Sequence, residues 1–328
     1  MLKISILGSG SLGCAMAKIY ENQGYNITLW SHSQQEADDI NAYSENKHYL
    51  PNVKIPKTIC VTSKINNVFN SDVILITVPS FAVKATIDLI KDDIASKTII
   101  VCLSKGLEKT NLELFSNVIE KALPNNQSAV LLGPSHAEEI AKDIVTAMVV
   151  SAKNTNTTQY LQKILTTPTI RVYINNDIVG VQIGAALKNI IALATGICDG
   201  MKLGDNTKAA LMTRGLNEIA NLGIALGAKK ETFLGLTGVG DLIVTCTSPH
   251  SRNRQAGILI GQGIKTEKAI EQVGSTVEGY TCTKYAHALS LKTNVETPII
   301  NEMYNILYKN KNVNQALTTL LRRPFKQE

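Results

Sequence analysis

The chain has 328 residues, of which 44% are hydrophobic, 18% charged and only 5% aromatic, with a formal net charge of +6 and a mean hydropathy of +0.04. That apolar fraction excludes a disordered chain, and 22 glycines and 9 prolines without a period exclude a fibrous one. The length exceeds what one hydrophobic core usually serves, so two domains are expected. The excess of cations admits an anionic partner, whether nucleic acid, lipid surface or small acidic ligand, beside the plain reading of a solvated surface.

The run from Met1 to Gly8 is too short in its apolar part for a signal peptide, and a cytoplasmic location is expected. Its strand-like portion, residues 3–7, leads directly into Gly8-Ser9-Gly10-Ser11-Leu12-Gly13 and then into a helical stretch at 14–20. A G-x-G-x-x-G between a strand and a helix is a dinucleotide fingerprint. Gly8 permits the tight turn, Gly10 lets backbone approach a pyrophosphate, Gly13 lets helix pack on strand, and the first N–H groups of the helix hold the anion. A second strand at 26–30 ends in Ser31-His32-Ser33, where a site preferring NAD offers a carboxylate to the ribose hydroxyls. None stands in those three residues, so a 2′-phosphate meets no repulsion and can bond to His32 and the serines. An affinity ratio of NADP over NAD above one is expected, weakened by the lack of an arginine there.

Further strand-like runs at 73–78, 98–102, 128–132, 146–151 and 170–174 alternate with helical periods, several of them apolar throughout, as in a parallel sheet covered on both faces. They predict an α/β domain over residues 1–176, a Rossmann-like doubly wound sheet that binds a dinucleotide. The Asn-rich stretches 65–70, 154–158 and 309–312 read as surface connections. Ser104-Lys105-Gly106 puts Lys105 just past a strand, at the carboxyl edge where such folds bind ligands. Gly133-Pro134-Ser135-His136 follows the next strand. Ser135 and Glu138 have the spacing of a capping box, whose helix start would also accept an anion, and His136 lies inside it in a structural role.

From about Asp177 the pattern turns helical, which predicts an all-α domain over 177–328, with apolar stripes at Leu211, Leu216, Ile219, Ala220, Leu222 and Gly223 and again at Ala316, Leu317, Leu320 and Leu321. Residues 178–197 approach membrane length, but Gln182, Lys188 and Asn189 interrupt them. A lysine at mid-bilayer costs roughly 3 kcal/mol, so a buried soluble helix without stable membrane insertion is expected. Lys188 at its centre either snorkels along a polar strip with Gln182 and Asn189 or is buried and paired. Burial lowers an ammonium pKa from about 10.4 toward the range a general base needs. Gly238-Val239-Gly240-Asp241-Leu242 sets an aspartate in a glycine turn, suited to orient a lysine. Ser251-Arg252-Asn253-Arg254 offers a guanidinium fork and short donors suited to phosphate. Two arginines without interleaved aromatics make a poor nucleic-acid surface, and none is expected. Cys14, Cys60, Cys102, Cys198, Cys246 and Cys282 form no C-x-x-C pair and read as small hydrophobes in a reducing compartment, without zinc or disulfides. The terminal Arg322-Arg323-Pro324-Phe325-Lys326 reads as a solvated tail.

These motifs, with Asn46-Lys47-His48-Tyr49-Leu50-Pro51, Lys105-Gly106-Leu107-Glu108, Ala186-Leu187-Lys188-Asn189 and Thr237-Gly238-Val239-Gly240-Asp241, resemble the bacterial NAD(P)-dependent glycerol-3-phosphate dehydrogenases over nearly the whole chain. The resemblance implies interconversion of dihydroxyacetone phosphate and sn-glycerol 3-phosphate for glycerophospholipid synthesis, with NADP or NAD, no metal, and a homodimer. It makes Lys188 the proton acceptor and places Lys105, Gly133, Ser135, Lys188, Asp241, Ser251, Arg252 and Asn253 around the substrate. Gly8, Gly10, Ser11, Leu12, Gly13, His32, Tyr49, Lys105, Ala137, Arg252, Thr276 and Glu278 would contact the cofactor. Asp241 would raise the Lys188 pKa, whereas burial, Lys105 and a positive nicotinamide would lower it. Leu12 stands where the family usually has an aromatic residue, Cys14 where it has Ala or Thr, and Ser33 where many members have Arg. A β-hydroxyacid dehydrogenase of similar architecture is the alternative enzyme, but that family expects Asn four residues after the lysine, where Ala192 stands. A nucleotide-binding sensor without catalysis is the other alternative, against which Lys188 and Asp241 argue.

Overall fold

The computed structural model describes residues 1–324 and Gln327, so Phe325 and Lys326 of the expected solvated tail lie outside the described residues. Backbone contacts divide the chain into two compact units, Met1–Gln182 and Ile183–Glu328. The first opens with β1 (Lys3–Leu7), α1 (Ser11–Glu21), β2 (Asn26–Trp30), α2 (Gln34–Tyr43) and β3 (Cys60–Thr62). It continues with β4 (Val73–Ile76), α3 (Val83–Asp88), β5 (Ile99–Cys102), α4 (Phe115–Ala122) and β6 (Ser128–Leu132). It closes with α5 (Ala137–Ile140), β7 (Thr146–Ser151), α6 (Thr155–Leu165) and β8 (Ile170–Ile174).

The eight strands form one sheet in the order β3-β2-β1-β4-β5-β6-β7-β8. Strands β4 and β6 are buried along their whole length, so both faces of the sheet are covered there, and this explains the apolar run of β4 and of β6 after Ser128. Fully buried Ile, Leu and Val side chains such as Ile6, Ile74 and Leu75 each stabilise the sheet by roughly 1.5–3 kcal/mol. The strand order reverses between β1 and β4, and the crevice at such a switch point is where open α/β sheets hold ligands.

The sheet unit departs from expectation in three places. The sheet is not wholly parallel, because β7 runs antiparallel to β6. The 13 residues between them contain one helix, α5, of only four residues, about 6 Å at 1.5 Å per residue, so no full crossover helix carries the chain back along the sheet and β7 enters beside β6 in the opposite direction. Strand β3 is an added element of three half-exposed residues whose pattern is too short to read. Residues 154–158 are not a connection but the start of α6, where the Asn154 side chain caps the helix by accepting from Asn156 N and Thr157 and Thr158 are buried.

The second unit is helical throughout among the described residues. Its elements are α7 (Ile178–Gly200), which carries the division between the units, α8 (Asp205–Ala225), α9 (Asp241–Thr247), α10 (Arg252–Gly261), α11 (Thr266–Val273), α12 (Glu278–Thr293), α13 (Pro298–Lys309) and α14 (Val313–Leu321). Helix α7 is long and apolar enough to cross a bilayer, but 89% of its most apolar window is buried inside the protein. It packs on α10 through four glycines. A Cβ on Gly196 would lie 2.1 Å from Arg254 O, one on Gly200 2.2 Å from Ile258 O, one on Gly257 2.1 Å from Leu193 O, and one on Gly261 2.3 Å from Ile197 O. Each helix therefore presents small residues four apart on one face, and the two backbones touch.

Glu218 of α8 is buried and accepts hydrogen bonds from the N–H groups of Ile299 (2.8 Å) and Ile300 (3.1 Å) at the start of α13. Burial pushes its carboxyl from 4.5 up to about 7, against the two N–H bonds and the charges of Arg323 and Arg214. The folded chain therefore keeps a proton that the unfolded chain releases. The contribution of this group to stability is complete below about pH 4.5 and is lost as pH rises through about 7, a span worth roughly 3 kcal/mol.

Two outcomes are expected. Gly257→Ala forces α7 and α10 apart and lowers stability in urea denaturation by about 1–3 kcal/mol or more, and an unchanged midpoint would contradict the contact. Glu218→Gln removes most of the fall in stability between pH 5 and pH 7.5, and the same slope in wild type and variant would show that Glu218 does not carry it.

Candidate active site

In the first unit the turn after β1 is built as a cradle. Gly8 has φ +117°, and a Cβ there would lie 2.9 Å from Val78 Cγ1. A Cβ on Gly13 would lie 1.8 Å from Gly8 O, so only glycine lets α1 start this close to the strand, whereas Gly10 faces open space. The Thr77 hydroxyl donates to Leu7 O (3.1 Å) and Gly8 O (2.9 Å) and fixes the turn from the neighbouring strand. The eleven-residue helix α1 has Gly10 as its N-cap and no side-chain cap, which leaves its first N–H groups to an anion. These features fit a dinucleotide pyrophosphate. Cys14 is wholly buried behind the turn, donates to Ser9 O at 3.0 Å, and has its thiol pushed up to about 12 by burial, so it packs rather than reacts.

The rim of this cradle is made by the turn at Asn46–Leu50. The Ser11 hydroxyl donates to Tyr49 O at 2.6 Å, and Tyr49 is 42% exposed with His48 edge-on at 4.4 Å. His32, exposed just past β2, lines the same cleft of about 420 Å³ as Tyr49. A carboxylate stands here that the sequence reading placed nowhere. Glu36, in the first turn of α2, accepts from Ser31 Oγ (3.2 Å), Ser9 Oγ (2.8 Å) and Asn46 Nδ2 (2.8 Å). The residues Ser31-His32-Ser33 do lack an acid, but α2 folds one back onto them. Ser33 caps α2 by accepting from Glu36 N at 3.3 Å, so the S-x-x-E spacing of Ser33 and Glu36 is the signal that could have located it.

Lys105 lies past β5, and its Nζ donates to Gly133 O (2.7 Å) and Ser135 Oγ (3.3 Å) past the adjacent β6. The structure thus brings Lys105, Gly133 and Ser135 together. It does not form the expected capping box. The Ser135 hydroxyl turns back to donate to Gly133 O (3.0 Å), and the residue at the start of α5 is His136, with no side-chain cap. Ala137, the first residue of that short helix, is buried.

In the second unit Lys188 is 4% exposed, which removes the snorkelling alternative. Its Nζ lies 2.6 Å from Asp241 Oδ1 and also donates to Thr245 Oγ1. Thr245 in turn donates to Asp241 O at 2.6 Å, one turn back on α9. The sequence reading missed Thr245, although its i,i+4 spacing from Asp241 on one helix face is visible in the chain. Asp241 arrives through a π-helical turn, Leu236–Gly240, rather than a simple glycine loop. A Cβ on Gly184 would meet Thr237 O at 2.6 Å, and Lys188 sits one turn beyond Gly184 on the same face of α7, opposite Asp241.

Ser251 caps α10 by accepting from Arg254 N at 3.3 Å, and Arg252 is exposed on the first turn. Asn253 is spent largely inside the fold: its Nδ2 donates to Asn189 Oδ1 (3.0 Å) and its Oδ1 accepts from Gly279 N (2.8 Å). It thereby ties α10 to α7 beside Lys188 and to the start of α12, where Glu278 and the nearby Thr276 lie. Arg254 pairs with Asp199 at 2.7 Å. No cluster of three His, Cys, Asp or Glu suited to a metal occurs among the described residues.

Family models described as the N-terminus and the C-terminus of NAD-dependent glycerol-3-phosphate dehydrogenase match residues 3–158 and 177–318. The chain is 48% identical to the NAD(P)+ glycerol-3-phosphate dehydrogenase of Fusobacterium nucleatum, over 100% of this chain and 99% of that one. It is 46% identical to the corresponding protein of Moorella thermoacetica, over 99% and 97%. The crystal structure of glycerol-3-phosphate dehydrogenase from Coxiella burnetii superposes with a TM-score of 0.94 at 38% identity, covering 98% of this chain and 99% of that one. With both halves matched and relatives aligned end to end, this chain belongs to the family of NAD(P)-dependent glycerol-3-phosphate dehydrogenases.

Proposed function

We propose that the protein interconverts sn-glycerol 3-phosphate and dihydroxyacetone phosphate, with Lys188 as the proton acceptor in the oxidising direction. The observation that carries this reading is the buried Lys188–Asp241–Thr245 cluster, a lysine held in one orientation inside an apolar helix of this family's chain. Oxidising a secondary alcohol removes a hydride from carbon and a proton from oxygen. A bound nicotinamide dinucleotide supplies the hydride acceptor, or the donor when reduced. Lys188 Nζ, as the neutral amine keeping its two N–H bonds to Asp241 and Thr245, takes the hydroxyl proton on its lone pair as the C=O bond forms, and in reverse the resulting ammonium returns that proton to the ketone oxygen. Asp241 and Thr245 act as positioning groups, holding Nζ at one point.

The phosphate of the substrate is remote from the reacting carbon and gives binding energy that orients it. Arg252 supplies an exposed guanidinium fork for it, with Ser251 and Asn253 at the same helix start. Lys105, held by Gly133 and Ser135, offers a second cation, and Asp241 completes the substrate-binding set beside Lys188. The cofactor contacts are Gly8, Gly10, Ser11, Leu12, Gly13, His32, Tyr49, Lys105, Ala137, Arg252, Thr276 and Glu278. Residues 1–176 serve as the dinucleotide-binding domain and 177–328 as the helical substrate and catalytic domain. The product feeds glycerophospholipid synthesis in the cytoplasm, and the apolar helical half supports a homodimer, for which light scattering should give twice the mass of 35.5 kDa and not the monomer mass.

The direct test is oxidation of NADPH or NADH followed at 340 nm with dihydroxyacetone phosphate, beside short 3-hydroxy acids with the oxidised cofactors. Turnover is expected with the phosphate ester alone, and turnover of the hydroxy acids instead would overturn the substrate. Lys188→Ala is expected to lower kcat by about a thousandfold while the cofactor dissociation constant stays within about twofold. Wild-type turnover in that variant would remove Lys188 from the chemistry.

A further inference from the structure

The Glu36 carboxylate sits at the joint between the glycine turn and the end of β2. Ser9 lies in the glycine turn after β1 and Ser31 is the first residue beyond β2, and these two strands are parallel neighbours with Leu7 opposite Trp30. Glu36 bonds to both serines and to Asn46, so its negative charge bridges the carboxyl ends of the two strands. In a doubly wound sheet this is where the ribose of the adenosine half is read. Glu36 also lines the cleft with His32 and Tyr49.

Its three donors use three of the roughly four acceptor sites of a carboxylate, which leaves one for a further donor. They also prevent the side chain from swinging away. A 2′-hydroxyl can donate to that remaining site. A 2′-phosphate, carrying up to two negative charges, would meet a fixed charge of the same sign. The same cleft is lined by two more carboxylates, Asp39 and Glu45, against one lysine, Lys47, whose ammonium lies 3.7 Å over the Tyr43 ring, and no arginine stands at the end of β2.

We propose that Glu36 selects the cofactor, accepting a hydrogen bond from the ribose 2′-hydroxyl and excluding a 2′-phosphate, so that the chain takes NAD(H) in preference to NADP(H). This rests on the dinucleotide site of the preceding section and reverses the preference expected from residues 31–33 alone.

Titration calorimetry of the full chain with NADH and with NADPH, without substrate, tests it. Wild type is expected to bind NADH at least about tenfold more tightly, and Glu36→Gln is expected to shrink that ratio about tenfold, chiefly by gaining affinity for NADPH. A wild-type preference for NADPH, or a variant that loses affinity for both by the same factor, overturns the proposal and leaves Glu36 as a brace of the turn. Binding of neither nucleotide overturns the dinucleotide site and this assignment together. Should the variant fail to fold, the wild-type ratio still decides when measured at about 10 mM and about 150 mM salt, where the Debye length falls from about 30 to 8 Å. Repulsion predicts that the gap narrows with salt. A gap that widens in favour of NADH, as attraction of the phosphate is screened, overturns it.

Discussion

The ion pair between Lys188 and Asp241 is the constraint around which the helical unit is arranged. Both side chains are nearly free of solvent, and two charges withdrawn from water are stable only when they meet each other in good geometry with their remaining hydrogen bonds filled. The fold meets that condition by bringing backbones into contact where side chains would have kept them apart. Gly184 admits the Thr237 backbone, and Gly238 fits against Phe233 O, where a Cβ would lie only 2.0 Å away. The π-helical turn then enters α9 with Asp241 facing α7. Removing one member of such a pair strands the other, at a cost of about 3–5 kcal/mol, so the same contact that orients the lysine also ties the site to the stability of the unit.

A second polar lattice does comparable work in the sheet unit without a formal ion pair. Ser9, Ser31, Asn46 and Glu36 join the glycine turn, the end of β2, the start of α2 and the turn carrying Tyr49. Asn46 is at the centre of it: its amide donates to Ser9 O and Glu36, and its carbonyl oxygen accepts from His48 N and Tyr49 N. Because the donors and acceptors are matched, the rim of the cradle is rigid, and its shape and charge are both set before any ligand arrives. The two units thus use one device, a satisfied buried polar network that fixes a functional group, with opposite electrostatic outcomes: a positioned cation in one and a positioned anion in the other.

Much of this was legible in the chain. The glycine fingerprint could be read because each glycine answers a local steric demand, and the unbroken apolar strands because a sheet covered on both faces has no polar side. Seven of the eight strands were visible as short apolar or β-branched runs, only several of them unbroken, and Lys188 stood out because a charge in an apolar helix contradicts its surroundings. The misreadings share a cause. Ser135–Glu138 has capping-box spacing but too short a helix to cap, and Ser33–Glu36 has the same spacing and a real cap. The antiparallel β7 depends on how far a connection reaches in space.

The sequence by itself determined the elements, the two-part order of sheet and helices, and the identity of the unusual residues, because periodicity, turn chemistry and burial preference act over a few neighbours. Tertiary structure alone decided which of those residues meet. Asp241 reaches Lys188 across 53 positions, and Glu36 reaches Ser9 across 27, only because glycines let backbones touch and parallel strands bring their ends together. Such contacts are set by packing of whole elements, and no local spacing in the chain encodes them.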